Sequence, residues 1–397
     1  MERQYRQAPD RERPRVSTGL HTIQLGKGWF PEDAGGLERY YYDLMQHLPQ
    51  TGISVQGFVT GSAQVARDSG GSVRAFAPAS ASLVARLHGV RAQLGRAITD
   101  RPDSLVVAHF ALYAAPCLGL LRGAPLLVHF QGPWAAESRA EGASALICRV
   151  KKKIEAAVCD RASRFIVLSR AFGELLQQEH DVPAERIDVI PGGVDCARWS
   201  SDLTKGAARM QLGWPADRPI VLVVRRLVRR MGLEGLIQSI PFIRRAVPDA
   251  LIMVAGKGPL RRELDERGAA ANVADNLRFI GFVPEEMLGV AYRAADLTVV
   301  PSVALEGFGL VVAESLAAGT PVLVTAVGGL PETVEALDPA CVIRGQEPQT
   351  IGRAVSDALL GQLPLPDAAR CVQHARTHFD WSVIAARVGD TYRRTMA

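Results

Sequence analysis

The sequence predicts an α/β protein built from two Rossmann-like, parallel-sheet domains. Short apolar runs alternate with segments of helical periodicity over nearly the whole chain, the pattern of parallel strands crossed over by helices. The chain has 397 residues, enough for two domains at about 100–200 residues each. The alternation breaks at Val189-Ile-Pro-Gly-Gly-Val-Asp195, where Pro and Gly punctuate the chain.

Met1 to Arg15 is polar, rich in Arg and Pro, and lacks the apolar segment of a secretory signal. It reads as a flexible tail on a cytoplasmic protein. A first domain, 16–193, should carry strands near Val16–Ile23, Ser54–Gly61, Ser72–Phe76, Leu105–Phe110, Leu126–Phe130 and Arg164–Leu168. Between the first two, Leu37, Tyr40, Leu44 and Leu48 recur at helical spacing, which predicts a helix over Gly36–Leu48. A second domain, 194–378, restarts with a strand at Ile220–Val224 and a helix at Leu233–Val247. Strands at Ala250–Ala255, Leu277–Val283 and Leu297–Val300 follow, with a helix at Pro284–Ala295. Ligands of such folds bind beyond the carboxyl ends of the strands. The last segment, 379–397, holds an amphipathic helix with Val383, Ile384, Val388 and Tyr392 on one face.

Composition narrows the function classes. Hydrophobic residues make up 48% and charged residues 22%, ordinary for a globular enzyme. No apolar run approaches the ~20 residues that span a bilayer. Six cysteines at 117, 148, 159, 196, 341 and 371 form no CxxC pair, so neither a zinc site nor a disulfide framework is indicated. The net charge of +5 suits anionic ligands or an anionic surface. No nucleic-acid module is present, and none is expected as a partner. No HExxH and no Ser-His-Asp or Cys-His arrangement is evident.

The most informative stretch is Glu306-Gly-Phe-Gly-Leu-Val-Val-Ala-Glu314-Ser-Leu-Ala-Ala-Gly-Thr-Pro321. Two carboxylates stand eight positions apart around a Gly-Phe-Gly turn that opens an apolar helix. Such a turn leaves backbone amides free at a helix N-terminus, where they can hold a phosphate. The two Glu can then touch different parts of one extended ligand. This run, from Pro301-Ser302 onward, resembles the nucleotide-sugar site of retaining glycosyltransferases of family 4. These have the GT-B fold: two facing Rossmann-like domains, with a C-terminal helix crossing back to the first.

The resemblance implies roles for particular residues. Glu306 would contact hydroxyls of the donor sugar and Glu314 the ribose hydroxyls. The amides of Gly307, Phe308, Gly309 and Leu310 would lie near sugar and phosphates, and Val283, with Phe282, at the base edge. In Val224-Arg-Arg-Leu-Val-Arg-Arg-Met-Gly232, Arg226 and Gly232 match the family's Arg and Gly, but Met231 stands in place of its Lys. A thioether cannot neutralise phosphate. Arg230, or with less support Arg229, is the candidate to supply that charge to the leaving diphosphate. Gly35-Gly36 matches a loop near donor phosphate and acceptor. His109 matches a family His near the cleft. Gln131 occupies a position where the family carries another His, and His129, two residues earlier, points to the same strand face. Either Gln131 or His129 takes that role. Ser169, Asp195, Gly256, Gly258 and Pro259 are weaker matches.

The implied activity is metal-independent transfer of a hexosyl unit from a nucleoside diphosphate sugar, UDP before GDP, to a saccharide, glycolipid or lipid-linked hydroxyl. No further cofactor is required. No Asp-x-Asp motif suited to a divalent ion occurs. The basic run Arg149-Val-Lys151-Lys152-Lys153 is either a solvated helix face or a contact to anionic lipid on the inner membrane face. A sugar-nucleotide epimerase of the same fold, a sugar phosphorylase and a degenerate nucleotide-sugar-binding protein are the rival readings. The sequence specifies no oligomeric state.

Overall fold

The computed structural model describes residues 19–121, 123–200 and 203–397. The tail expected at 1–15 lies outside them. Each half of the chain forms one wholly parallel sheet. The first holds β1 (His21–Leu25), β2 (Ser54–Thr60), β3 (Val73–Ala77), β4 (Leu105–Ala108), β5 (Leu126–Phe130), β6 (Arg164–Val167) and β7 (Ile187–Val189). Its spatial order is β3-β2-β1-β4-β5-β6-β7. The second holds β8 (Ile220–Val224), β9 (Leu251–Ala255), β10 (Leu277–Gly281), β11 (Leu297–Val300), β12 (Val322–Thr325) and β13 (Val342–Ile343), in the order β10-β9-β8-β11-β12-β13.

Strands buried on both faces need near-continuous apolar residues. β5, β9 and β11 are buried at every position. In each sheet the strand order reverses once between neighbours, at β1/β4 and at β8/β11. Such switch points open a crevice at the carboxyl ends of the strands. β7, β12 and β13 were not among the expected strands. β7 and β13 have three and two residues, too few to show a period; β12, Val-Leu-Val-Thr, has four, as many as β4, β6 and β11, and was passed over. Of the expected first strand, residues 16–18 lie outside the described residues, and β1 begins at His21.

The C-terminal helix, Trp381–Met396, belongs to the first domain. Ile384, Val388 and Tyr392 share one buried cluster with Trp29, Tyr40 and Tyr41. The chain therefore passes between the domains twice, at adjacent points. The Val194 amide donates to the Phe379 carbonyl at 2.8 Å and the Trp381 amide to the Val194 carbonyl at 3.1 Å. A Cβ on Gly193 would lie 2.5 Å from the Trp381 ring. Gly193→Ala is thus expected to destabilise the fold by about 1–3 kcal/mol through overpacking, read as a lowered urea midpoint at unchanged slope.

Candidate active site

Both β8 and β11 deliver polar side chains to their switch point. Arg225 follows the last residue of β8, and its amide donates to the Ala255 carbonyl at 2.9 Å. Its guanidinium is buried, with Nη2 2.7 Å from Glu306 Oε2 and bonded to Ser302 Oγ. Ser302, two residues beyond β11, also donates to Glu306 Oε2 at 3.1 Å. Glu306 is therefore held by a cation and a hydroxyl of its own domain. Its backbone is fixed from below: the Gly329 amide donates to the Glu306 carbonyl at 2.8 Å, and Gly328, at φ +54°, has no room for a side chain there.

Leu305 has φ +52°, a left-handed conformation that a branched residue adopts at a cost of about 1–3 kcal/mol. Its carbonyl accepts from Arg230 Nη1 at 3.1 Å. Gly309, at φ +79°, then opens the helix Leu310–Ala317, whose N-terminus no side chain caps. Phe308 turns inward onto Phe379, with ring centres 5.3 Å apart, so it offers the site its backbone. The Leu310 side chain lies across the interdomain gap from Gly36 and Gly192. The two glycine turns expected to flank one ligand thus face each other.

Glu314 is buried one turn into the helix and accepts from the Tyr292 hydroxyl at 2.9 Å. Burial raises its pKa, and the charge of Arg39 opposes that rise. Arg39 comes from the first domain's helix Gly36–His47 and pairs with Glu285 of the second. Its guanidinium lies 5.0 Å from the Phe30 ring centre and 5.2 Å from that of Trp199.

Arg226 and Arg230 meet the first domain's helix Trp134–Ala140 and the residue after it. Arg230 lies 3.3 Å from Glu141 and 3.7 Å from Glu137; Arg226 is 3.9 Å from Glu141 and half exposed. Arg229 points away, to Glu234 and Glu263 of its own domain. Met231 is buried in the second domain's core. Val283 packs against the domain's other core cluster, that of Leu222, Met253 and Phe308, beside exposed Phe282. Gln131, just past β5, has a buried Nε2 with no protein acceptor. A Cβ on Gly35 would lie 2.1 Å from the Glu38 carboxylate and would displace that side chain.

The two histidines correct the expectation of a cleft role. His109 and His129 stack with ring centres 4.3 Å apart, fully enclosed beneath the C-terminal helix. His129 bonds Tyr392 Oη at 2.8 Å and Tyr40 Oη at 3.2 Å; His109 Nε2 bonds Gln24 at 2.9 Å. Burial lowers His109 to about 3 and His129 well below its ordinary value. Both are neutral core groups. Of the two alternatives at the second histidine position, His129 is consumed by Tyr40 and Tyr392, whereas Gln131 has an Nε2 with no protein acceptor.

Of the lysine run, Lys152 and Lys153 are exposed and Lys151 is partly buried. Lys151 bonds Ser138 and covers the Trp134 ring at 4.6 Å, and Lys152 pairs with Glu179. The helix Ala145–Arg161 also exposes Leu146, Ile147 and Val150 beside Arg149 and Lys153. Among the described residues no group of three or more His, Cys, Asp or Glu is arranged to hold a metal ion. All six cysteines are free and buried.

Sequence reasoning missed Arg225, Ser302, Arg39 and Tyr292. Arg225 had a local signal, since it is the first residue past a central strand at the switch point. Ser302 lay inside the recognised run. Arg39 and Tyr292 act across tertiary contacts that no local pattern encodes.

Two facing parallel-sheet domains with a crevice at their switch points are the architecture of the GT-B fold. A family model described as Glycosyl transferases group 1 matches residues 204–378, and one described as Glycosyltransferase Family 4 matches residues 34–198. D-inositol 3-phosphate glycosyltransferase of Mycolicibacterium smegmatis is 30% identical over 420 residues, covering 99% of this chain and 94% of that protein. The chain belongs to the group 1 glycosyltransferases of family 4 type. A second relative is the GDP-mannose-dependent alpha-(1-6)-phosphatidylinositol monomannoside mannosyltransferase of Mycobacterium tuberculosis H37Rv. It is 31% identical over 223 residues, 53% of this chain, and the match spans only 57% of that protein's length. Among solved structures, sucrose-phosphate synthase from Thermosynechococcus elongatus has a TM-score of 0.75 at 22% identity, over 94% of this chain and 98% of that one. Anabaena HepE in complex with UDP and glucose has a TM-score of 0.78 at 20% identity, over 94% and 100%. At these identities the likeness speaks for the fold alone.

Proposed function

We propose that this glycosyltransferase is a retaining hexosyltransferase that uses a UDP or GDP sugar. The observation that carries the reading is the pair Glu306 and Glu314 on either side of the Gly309 turn, opposite Gly36 across the gap. An ionised carboxylate accepts from vicinal hydroxyls, which fits Glu314 for ribose and Glu306 for the donor sugar. The amides at the start of the Leu310–Ala317 helix, together with Arg226 and Arg230, suit the diphosphate. Val283 suits the base edge. Closure over the Gly35-Gly36 turn, with Gln131 at the acceptor side, excludes the water that would hydrolyse the donor.

In this reaction the bond from the sugar's C1 to the diphosphate oxygen breaks. A bond from C1 to the acceptor oxygen forms on the same face. The acceptor's proton passes to the departing diphosphate, so no protein nucleophile, metal or further cofactor is called for. The neutral, enclosed state of His109 and His129 fits that scheme. Turnover is then expected to show no titration assignable to either histidine between about pH 5 and 8, where an accessible His would report, checked by the pH profile of kcat.

The acceptor proposed is a glycolipid or lipid-linked hydroxyl. Its support is the exposed Leu146, Ile147 and Val150 beside Arg149 and Lys153, a combination that seats on anionic bilayers. No described helix is long and apolar enough to cross a membrane, so contact would be peripheral. Ile147→Glu with Val150→Glu should weaken binding to phosphatidylglycerol vesicles about 10-fold or more, each lost apolar side chain being worth about 1.5–3 kcal/mol when fully buried. Unchanged sedimentation with vesicles would refute it.

The donor site is tested by a thermal-shift panel of UDP, GDP and ADP sugars, with and without EDTA. A ligand that binds the native state raises the midpoint by mass action. One nucleotide series should shift the midpoint equally in both buffers, and Glu314→Ala should remove most of that shift. Arg226→Ala should lower turnover with a smaller effect on the shift. A sugar nucleotide that is isomerised rather than transferred would favour the epimerase reading.

A further inference from the structure

Arg225 is buried against the Glu306 carboxylate. Nη2 serves Glu306 and Ser302. Its charge also bears on Tyr292, whose hydroxyl holds Glu314. A guanidinium carries five N–H donors, and here Nε is buried with no acceptor in the protein. Leaving a buried charged donor unmatched is costly unless a partner arrives. The residue is not free to turn away. Its amide is tied to Ala255, and Gly256 packs so closely on its carbonyl that a Cβ there would lie 1.8 Å from the oxygen. Arg226 and Arg230, by contrast, pair with Glu137 and Glu141 of the first domain, partners that domain separation would remove, although Arg230 also keeps the Leu305 carbonyl of its own domain. Arg225 keeps its partners within one domain through any such motion.

We propose that Arg225 is a positioning residue for Glu306, and that an oxygen at the sugar–phosphate end of the donor supplies the acceptor that Nε lacks. This rests on the reading of the crevice as a nucleotide-sugar site. Arg225 orients the Glu306 carboxylate through Nη2 while leaving its other oxygen for sugar hydroxyls. The contribution therefore grows with the part of the donor that is present: small for the nucleoside monophosphate, large for the complete nucleotide sugar.

The test compares wild type, Arg225→Met and Arg225→Lys in calorimetric titrations with UMP, UDP and UDP-glucose, and with GMP, GDP and GDP-mannose, alongside kcat and KM. Met preserves the length of the stem without charge or donors. The expected result for Arg225→Met is monophosphate affinity within about threefold of wild type, nucleotide-sugar affinity at least about 10-fold weaker and kcat about 100-fold lower, the scale for loss of a charged hydrogen-bonded partner. Arg225→Lys should recover part of kcat, because it restores charge to Glu306 without the fork. Equal loss of monophosphate and nucleotide-sugar affinity, or an unchanged kcat, would overturn the inference. If Arg225→Met does not fold, the same comparison on Arg225→Lys decides, with a kcat equal to wild type as the overturning result. Wild-type protein that binds none of the six ligands would refute the donor-site reading itself, and the inference with it.

Discussion

Glu306→Gln is expected to lower sugar transfer about 10–100-fold while the protein stays folded and still binds nucleotide. The magnitude is that of one hydrogen bond made by a charged group, about 1.5–3 kcal/mol. The choice of Gln follows from the surroundings of the carboxylate. Arg225 is enclosed and spends Nη2 on Glu306, so Glu306→Ala would strand a buried cation at a cost of about 3–5 kcal/mol. A loss of activity in that variant would then report misfolding as much as chemistry. Gln keeps an oxygen for Nη2 and for Ser302, and removes only the charge and one acceptor. Steady-state kinetics and calorimetry on the same preparation check the outcome. A Glu306→Gln enzyme with unchanged kcat would remove Glu306 from the reaction.

Acid should loosen the first domain through His109 and His129. Both are neutral in the fold, lowered by burial, His109 to about 3. The unfolded chain holds them near their ordinary value of about 6.5. Above that pH neither state binds the extra protons, and their contribution is complete. Below it the unfolded chain takes up protons that the fold refuses. Stability then falls by up to about 1.4 kcal/mol per pH unit for each histidine, down to about pH 3 for His109. Glu155, raised to about 7 by burial although the Trp134 and Ala135 amides oppose that rise, works in the opposite sense. It adds stability below about 4.5 that is lost as pH rises through about 7. The measurement is therefore a difference: urea denaturation of wild type and His109→Asn at pH 7.5, 6.5 and 5.5. The stability gap between them should change by about 1 kcal/mol or more across that range. A constant gap would mean that His109 takes up its proton in the fold as it does in the unfolded chain.

The sheets were readable from the sequence because parallel strands enclosed on both faces are largely apolar, as Leu251–Ala255 and Ile220–Val224 are. The short edge strands Ile187–Val189 and Val342–Ile343 were not, since two or three residues carry no period. At the site, the Glu306–Glu314 run was legible as a local pattern: turn, helix start and carboxylates all lie within nine residues. The histidines misled because a polar residue at a strand end looks the same whether it faces a cleft or a covering helix. What decides is Tyr392, 263 residues from His129 in sequence. Arg225 was passed over for its neighbour Arg226, although strand alternation sends adjacent side chains to opposite faces. One turns inward to Glu306 and the other outward to Glu141.

The return of the last helix onto the first domain sets an order of assembly during synthesis. The ribosome completes the second domain while the first still lacks Trp381, Ile384, Val388 and Tyr392, which fill its core. Until the final turn emerges, His129 has no Tyr392 hydroxyl to meet and an aromatic surface that includes Tyr40 stays uncovered. The domain synthesised first is thus the last to close, and a nascent chain stalled before residue 381 is a substrate for chaperones rather than half an enzyme.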